Sequence, residues 1–574
     1  MTSTNLLAQQ NSKNESFKLT ILHLNDHHAH LDGEDFELNF DGIKTKVELG
    51  GFPRVATKIK ELKAKAINPL VLHAGDAMSG TLYYTIFKGQ ADVELMNMIG
   101  FDAYTLGNHE FDEGDKVLAD FIDKAKFPIV TSNVEVKKGS VLENRWKPYI
   151  IKDIKGEKVA IIGLESANKT KSSSRASEDV VFFDEFFRAQ KYVSELQEKG
   201  INKIILLSHF GYENDLELAK KIDGIDIIVG GDSHALLGDF KEFGLSSVGE
   251  YPTKTLSKNS KNVCVVQAWE YAKVVGELNV EFNSKGDVIN CGGKPNLLIG
   301  ETFTQNDKEL NKEQKSAILK KIENSNISIT KENPEILAKL NHYKKEIEEK
   351  SKEVVGVIKE DLRHIRIPMT NYGDMDGSLL PLGSEIAPVI AEAFYNLSLR
   401  ADACIQNAGG VRSGLLAGEI NVGGVYTLLP FSNTLFEFDI KGSEIKQLLE
   451  DAIINYNDNR GSDGSFPYAY ALRYDIDMNR EKNSRVYNLE IKDRKTKKWQ
   501  PLEADKSYVI VTNSYIANGK DGYTTLKELS NRGKGIDTYL DYAMSFVNYA
   551  KEKKEISRLP KDEHCIKSYT LLKK

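Results

Sequence analysis

"MIGFDAYTLGNHEFDEG", Met98–Gly114, passes within a few residues from an apolar run to a turn crowded with Asn, His, Glu, Asp and Glu. The apolar positions stop where Gly107 begins, which puts Asn108, His109, Glu110 and Asp112 at the mouth of a strand. Open α/β sheets bind ligands beyond the carboxyl ends of their strands, so the stretch reads as a functional turn of an α/β layer. The same pattern recurs on both sides of it. "KLTILHLND", "PLVLHAGD", "PIVTSNV", "KVAIIGLES", "KIILLSHFG" and "IDIIVGGDSH" are β-rich runs that end in or near Asp, His, Asn or Ser. Between them, "GFPRVATKIKELKAKA" and "DEFFRAQKYVSELQEKG" carry apolar residues at helical spacing. Alternation of the two periods indicates a layered α/β domain.

A chain of 574 residues exceeds one ordinary core, and the pattern changes twice along it. "VCVVQAWEYAKVVGELNVEF", from Val263, is expected to form an antiparallel hairpin closing a first domain, residues 17–305. Residues 306–353 are rich in Lys, Glu and Asn, and "NPEILAKLNHYKKEIEEKSKE" reads as a long charged helix with an Asn-Pro start. A charge run of this kind is a solvated face, so the segment is expected to be a linker. Residues 354–568 form a second α/β domain, with "ADACIQNAGGVR", "FEFDIKGSEIKQLLEDAI" and "YVIVTNSYIANGKDGY" as its legible parts. No internal repeat is present.

The formal charge of -7 leaves no basic field for a phosphate backbone, so no nucleic-acid partner is expected, while a small anion can still bind a locally positive site. Four cysteines form no CxxC pair; a Cys264–Cys291 bridge is conceivable, but free buried thiols are the expectation. No run of about 18 apolar residues occurs, so no membrane span is expected. The first 16 residues are polar and lack the regions of a signal peptide, which leaves a cytoplasmic protein or one whose start has been trimmed.

The strand ends supply Asp26 and His28, Asp76, Asn108 and His109, His209, and Asp232 and His234. Taken singly, each is an ordinary cap or hydrogen-bonded residue. Five ends in series, each with an oxygen or imidazole donor, point to a metal site. The order D-x-H, GD, GNHE, a strand-end His and G-x-S-H resembles the calcineurin-like metallophosphoesterases. With "NAGGVR", "LPFSNTL" and "NGKDGY" downstream, the chain resembles the two-domain bacterial 5'-nucleotidases over residues 17 to 530.

That resemblance implies an N-terminal α/β/β/α metallophosphoesterase sandwich, a C-terminal α/β substrate domain, and two divalent cations, zinc or manganese, about 3.5–4 Å apart that neutralise a phosphate ester and deliver hydroxide to it. It assigns Asp76 as the bridging carboxylate, Asp26, His28 and His234 to the first cation, and Asn108 and His209 to the second. His109 is expected beside the phosphoryl group, oriented by Asp112, with Glu110 supporting the turn. Asp232 stands where much of the family has His; coordination through oxygen is the expectation.

In the second domain the resemblance makes Arg412 a phosphate binder, with Arg363, Arg366 or both beside it, and Asn407 a base or ribose contact near Gly410. Phe431 and Tyr515 are expected to clamp a nucleobase, with Asn433 nearby and Asp521 accepting from ribose hydroxyls. The implied activity is hydrolysis of nucleoside 5'-monophosphates, in the periplasm or outside the cell. Extra length at Asn371–Gly383 also resembles the branch that cleaves NAD, which makes NAD or UDP-sugar hydrolysis the enzyme alternative. A nucleotide-binding surface protein with an inactive phosphatase domain, and a nuclease, are the other readings; the full donor set argues against the first and the acidic charge against the second.

Overall fold

The computed structural model describes residues 16–572 except 175, 307, 370–379, 430, 432 and 459–461. Most of the Asn371–Gly383 stretch therefore lies outside the described residues. The chain divides into two compact units at Lys345/Glu346, within the helix Pro334–Lys350.

Two sheets face each other in the first unit. One runs in the order Glu34–Phe40, Ile43–Leu49, Val288–Gln305, Val274–Phe282, Phe17–Leu24, Pro69–His73, Ala103–Thr105, Ile129–Val130. Its last four strands are mutually parallel. The other runs Thr253–Leu256, Asn262–Val266, Ile227–Gly230, Ile204–His209, Glu157–Glu165, Tyr149–Ile154, with a parallel centre. Central strands of this kind are apolar on both faces. One set of side chains, including Ile21, Leu72, Ile161, Leu207 and Val229, fills the space between the sheets. The opposite set on the second sheet, Ile162, Leu206 and Ile228, packs on Ala189, Val193 and Leu218 of the helices Glu185–Glu198 and Tyr212–Lys221. On the first sheet the helix Phe52–Lys63, begun by a proline in its first turn, buries Phe52, Val55 and Ile59. The layers are helix, sheet, sheet, helix, as expected.

Two expectations are corrected here. The runs around Val263–Phe282 are not a hairpin: Asn262–Val266 is parallel to Ile227–Gly230 in the second sheet, whereas Val274–Phe282 lies between Phe17–Leu24 and Val288–Gln305 in the first. Both runs are apolar because both are buried in sheets, and periodicity cannot say which sheet. Cys264 and Cys291 are not free thiols. They form a disulfide that ties one sheet to the other, while Cys404 and Cys565 are buried and unbridged. The stretch expected to be linker also contributes Ile318, Ile322 and Ile327 to the first unit's core, and Ile327–Ile329 pairs with Val288–Gln305.

The second unit, Glu346 onward, is built on a five-stranded sheet ordered Pro467–Tyr470, Ala403–Asn407, Ser507–Asn513, Thr434–Lys441, Gly535–Asp541, with the helices Ala387–Leu397, Gly442–Asn457 and Tyr542–Lys553. Asn407 and Asn513 end two adjacent parallel strands, and Asn433 precedes the antiparallel strand beside them.

The bridge closes a loop with a sequence separation of 27, so its reduction should cost about 3–4 kcal/mol of stability by loop entropy. Thiol titration in denaturant should find two reactive thiols before reduction and four after it, with a lower melting temperature in reductant.

Candidate active site

Five strand ends meet in one cluster in the first unit. Asp26 and His28 follow Phe17–Leu24, Asp76 follows Pro69–His73, Asn108 and His109 follow Ala103–Thr105, His209 closes Ile204–His209, and Asp232 and His234 follow Ile227–Gly230. All but Asp232 and His234 are fully buried. The turns that carry them are bent into an unusual conformation: Asp26, His28, Asp76, Asp232 and His234 all have positive φ, between 46° and 72°. Such backbone costs about 1–3 kcal/mol per residue without a glycine. Two glycines let the turns approach, since a Cβ on Gly107 would stand 2.3 Å from Asp76 Oδ1 and one on Gly231 2.5 Å from the Ala74 carbonyl oxygen.

The hydrogen bonds fix which atoms face inward. His209 donates from Nδ1 to the Ala74 carbonyl at 2.7 Å, so in the neutral ring its Nε2 carries the lone pair, and that nitrogen faces Asp76 Oδ2 at 3.0 Å. His28 donates from Nδ1 to the Met78 carbonyl and His234 from Nδ1 to Glu270. Their two Nε2 atoms are thereby aimed at one another across 3.2 Å. Asp76 Oδ2 and Asn108 Oδ1 are buried acceptors that receive no hydrogen bond from the described residues. Acceptors opposed in this way need positive charge among them, either a proton or a metal cation, and the orphaned oxygens of Asp76 and Asn108 stand where a cation would fit.

The charges say the same. Burial opposes protonation of His209, but Asp76 and Asp26 override it and hold the imidazole well above the ordinary histidine range. Desolvation also opposes protonation of His234, but Asp26 and Glu270 raise it to about 10. The pocket attracts positive charge. Two sets of donor atoms lie close enough together to hold a cation, Asp26 with His28 and His234, and Asp26 with Asp76 and His209. Asp26 belongs to both, and Asp76 Oδ2 also comes within 3.7 Å of His28 Nε2. Imidazole, carboxylate and amide oxygen together suit a divalent metal ion.

His109 is in neither set. Its Nδ1 is 2.6 Å from Asp112 Oδ2, which also accepts from Ser79 Oγ at 2.6 Å. Burial disfavours its charged form, but Asp112 and Asp76 raise its pKa. Glu110 accepts the backbone N–H groups of Gly107, Asp76, Ala77 and Met78, so one side chain clamps two of the strand ends together. Asp232 Oδ1 is 3.7 Å from His209 Nε2 and 2.6 Å from Lys169 Nζ. Lys169, Ser79 and Glu270 were not singled out by sequence, because no local spacing ties them to the strand ends.

In the second unit, Arg366, Asn407, Gly410 and Arg412 line one pocket with Phe431, Asn433, Tyr515 and Asp521. Arg363 is not among them; its Nε donates to Glu385 at 3.2 Å. Phe431 and Tyr515 are 40% and 42% exposed, so both rings keep a face for a ligand. Asp521 accepts from Tyr515 OH and from Asn407 Nδ2, and the Arg412 guanidinium lies 5.6 Å from the Phe431 ring centre. Gly409 and Ser462 also line this pocket, and Arg366 pairs with Asp463; Ser462 and Asp463 were not singled out by sequence.

A cation-seeking cluster at the carboxyl ends of two facing sheets, with a buried carboxylate–imidazole pair beside it, defines a metal-dependent hydrolase of the phosphoesterase class. Residues 19–236 match the calcineurin-like phosphoesterase family and residues 370–528 the 5'-nucleotidase C-terminal domain. The chain is 39% identical to the NAD 5'-nucleotidase of Haemophilus influenzae over 96% of its own length and 93% of that protein. It is 40% identical to a probable 5'-nucleotidase of Treponema pallidum, over 95% and 93%. The solved structure of the Haemophilus influenzae NAD nucleotidase superposes with a TM-score of 0.89 at 38% identity, covering 97% of this chain and all of that one. The chain belongs to the 5'-nucleotidase family and is a phosphoric ester hydrolase that uses divalent metal ions.

Replacing Glu110 with Gln sets an amide group against backbone donors that need acceptors. Metal affinity should fall roughly 10–100-fold, the usual effect of losing a partner that orients the ligands. Titration with manganese checks this.

Proposed function

We propose that two divalent cations, zinc or manganese, complete the site of this 5'-nucleotidase. Asp26, His28 and His234 hold the first, Asn108, His209 and Asp232 hold the second, and Asp76 lies between them. The opposition of His28 Nε2 to His234 Nε2, and of His209 Nε2 to Asp76 Oδ2, carries this reading. When bound, the cations neutralise phosphoryl oxygens and activate water for attack on phosphorus. His109, tied through Nδ1 to Asp112, addresses the substrate with Nε2 and can hold or give a proton at the leaving oxygen. In the other unit, Phe431 and Tyr515 take the two faces of the base, Asp521 and Asn407 the ribose or base edge, and Arg412 and Arg366 the phosphate. Arg366 is preferred to Arg363 because only Arg366 lines the pocket. The substrate is a nucleoside 5'-monophosphate, cleaved to nucleoside and phosphate.

Likeness along nearly the whole chain to a protein named NAD 5'-nucleotidase supports a second substrate, the dinucleotide NAD, whose pyrophosphate would be cleaved before the resulting monophosphate. The location is periplasmic or extracellular. A disulfide between the two sheets supports an oxidising compartment, and a Thermus thermophilus 5'-nucleotidase precursor is 36% identical. No described helix is long and apolar enough to cross a membrane.

Hydrolysis of a panel of AMP, other nucleotides, NAD and a UDP-sugar, with and without chelator, tests the assignment; activity that survives chelator sinks it. His109→Ala should keep both metals and lose roughly 10²–10⁴-fold in turnover. Loss of metal in that variant would show that His109 is a ligand. Tyr515→Ala should raise the KM for AMP about five- to 150-fold, the worth of one stacked base. An aryl phosphate, which has no base, should be hydrolysed at nearly the wild-type rate by the same variant.

A further inference from the structure

Lys169 has no part in the mechanism above, yet it stands at the edge of the cation cluster. It rises from the short helix Ala167–Ser173, just after the strand Glu157–Glu165 that neighbours Ile204–His209. Thr170 anchors that helix, its hydroxyl donating to the Ser166 carbonyl at 2.7 Å and to the Glu165 carboxylate. The Lys169 ammonium is 2.6 Å from Asp232 Oδ1 and largely withdrawn from solvent, its side chain 18% exposed. The same carboxylate oxygen is 3.7 Å from His209 Nε2. One oxygen thus has an ammonium on one side and the cation-seeking acceptors on the other.

Asp232 is held in that position. Its backbone N–H donates to both oxygens of Asp26, at 3.1 and 3.0 Å, and its φ is 72°. Gly211 passes so close that a Cβ there would stand 3.1 Å from Asp232 Oδ2. The carboxylate therefore faces Lys169 and His209 together.

We propose that Lys169 is a positioning residue that tunes the second cation: by pairing with Asp232 it offsets that carboxylate's charge. This rests on the reading that Asp232 is a ligand of that cation. Asp26 and Asp76 already supply two negative charges to the cluster. A third, uncompensated, would bind the cation more tightly and weaken its pull on the phosphate, since the partners of a ligand set both its affinity and its donor strength. With an ammonium on the same oxygen, Asp232 acts closer to a neutral donor. Lys169 thus lowers affinity and raises reactivity. A residue that only supported the fold would move both in the same direction.

The test uses the full chain, manganese titrated by calorimetry, and AMP hydrolysis at saturating manganese. Lys169→Met should tighten the second manganese by about tenfold or more and lower kcat by roughly 10–100-fold. KM for AMP should move less than about threefold, because Lys169 does not touch substrate in this assignment. Lys169→Arg should keep most of kcat. Adding Asp232→Asn to Lys169→Met removes the uncompensated charge, and should loosen the second manganese again and raise kcat above that of Lys169→Met. Affinity and kcat falling together, or neither changing, overturns the proposal while leaving the two-cation reading intact; if Lys169→Met does not fold, the comparison of the Arg and double variants with wild type decides it by the same criteria. A wild-type protein that binds a single manganese removes the two-cation reading, and this proposal with it.

Discussion

The crowding of buried nitrogen and oxygen acceptors at the strand ends, which only positive charge can hold together, is the constraint on which the donor turns of the first unit depend. His209 Nε2 against Asp76 Oδ2 at 3.0 Å, and His28 Nε2 against His234 Nε2 at 3.2 Å, cannot be relieved by rotating the rings, only by a proton or a metal cation between them. Each imidazole is fixed through its other nitrogen, to Ala74, Met78 or Glu270. The protein holds its donors in the geometry a cation needs, and without one protons take its place, which is why the pKa values of His209 and His234 are raised. Binding a metal therefore contributes folding free energy as well as chemistry.

Holding such a cluster together requires a rigid frame. Left-handed backbone at five of the donor positions is tolerated because the strands behind them belong to two sheets packed through one apolar layer. Glu110 adds a direct tie, its two oxygens receiving N–H groups from the Asp76 turn and from Gly107. Burial raises its pKa to about 7, and Asp76 adds to the shift, so in the absence of metal protonation competes with its role as acceptor near neutrality. A cation between Asp76 and its neighbours works against that protonation. The metal and the turn that carries its ligands thus support one another.

What could be read from sequence followed the range of the interaction. Asp26, Asp76, Asn108, His209 and His234 were legible because each closes a local apolar run, and the layered α/β class followed from the same runs. Glu270 was not, because its stretch crosses from one sheet to the other, and two buried strands that never pair look like a hairpin in one dimension. Lys169 lies 63 positions before Asp232, with no periodicity to join them. The choice between Arg363 and Arg366 was open for a related reason: they are three residues apart on irregular backbone, so only the fold turns one toward Glu385 and the other into the pocket. The Cys264–Cys291 bridge likewise needs the two sheets face to face before the pairing becomes visible.

The two units meet opposite physical demands. In the first, most of the inward donors are buried and all are fixed before substrate arrives, because charge stabilisation acts best in a dry, preorganised site. In the second, the recognition surface keeps its rings open to solvent while its polar groups are already paired with one another. Asp521 is shared by Tyr515 and Asn407, and Asn407 also accepts from Asn513 at 2.9 Å. A ribose hydroxyl entering this network would exchange one hydrogen bond for another, so those contacts give direction more than affinity. In the proposed reading, affinity comes from the aromatic faces of Phe431 and Tyr515, which would stack on any base. A pocket that binds as proposed would distinguish a nucleotide from a simple phosphate ester more sharply than one base from another.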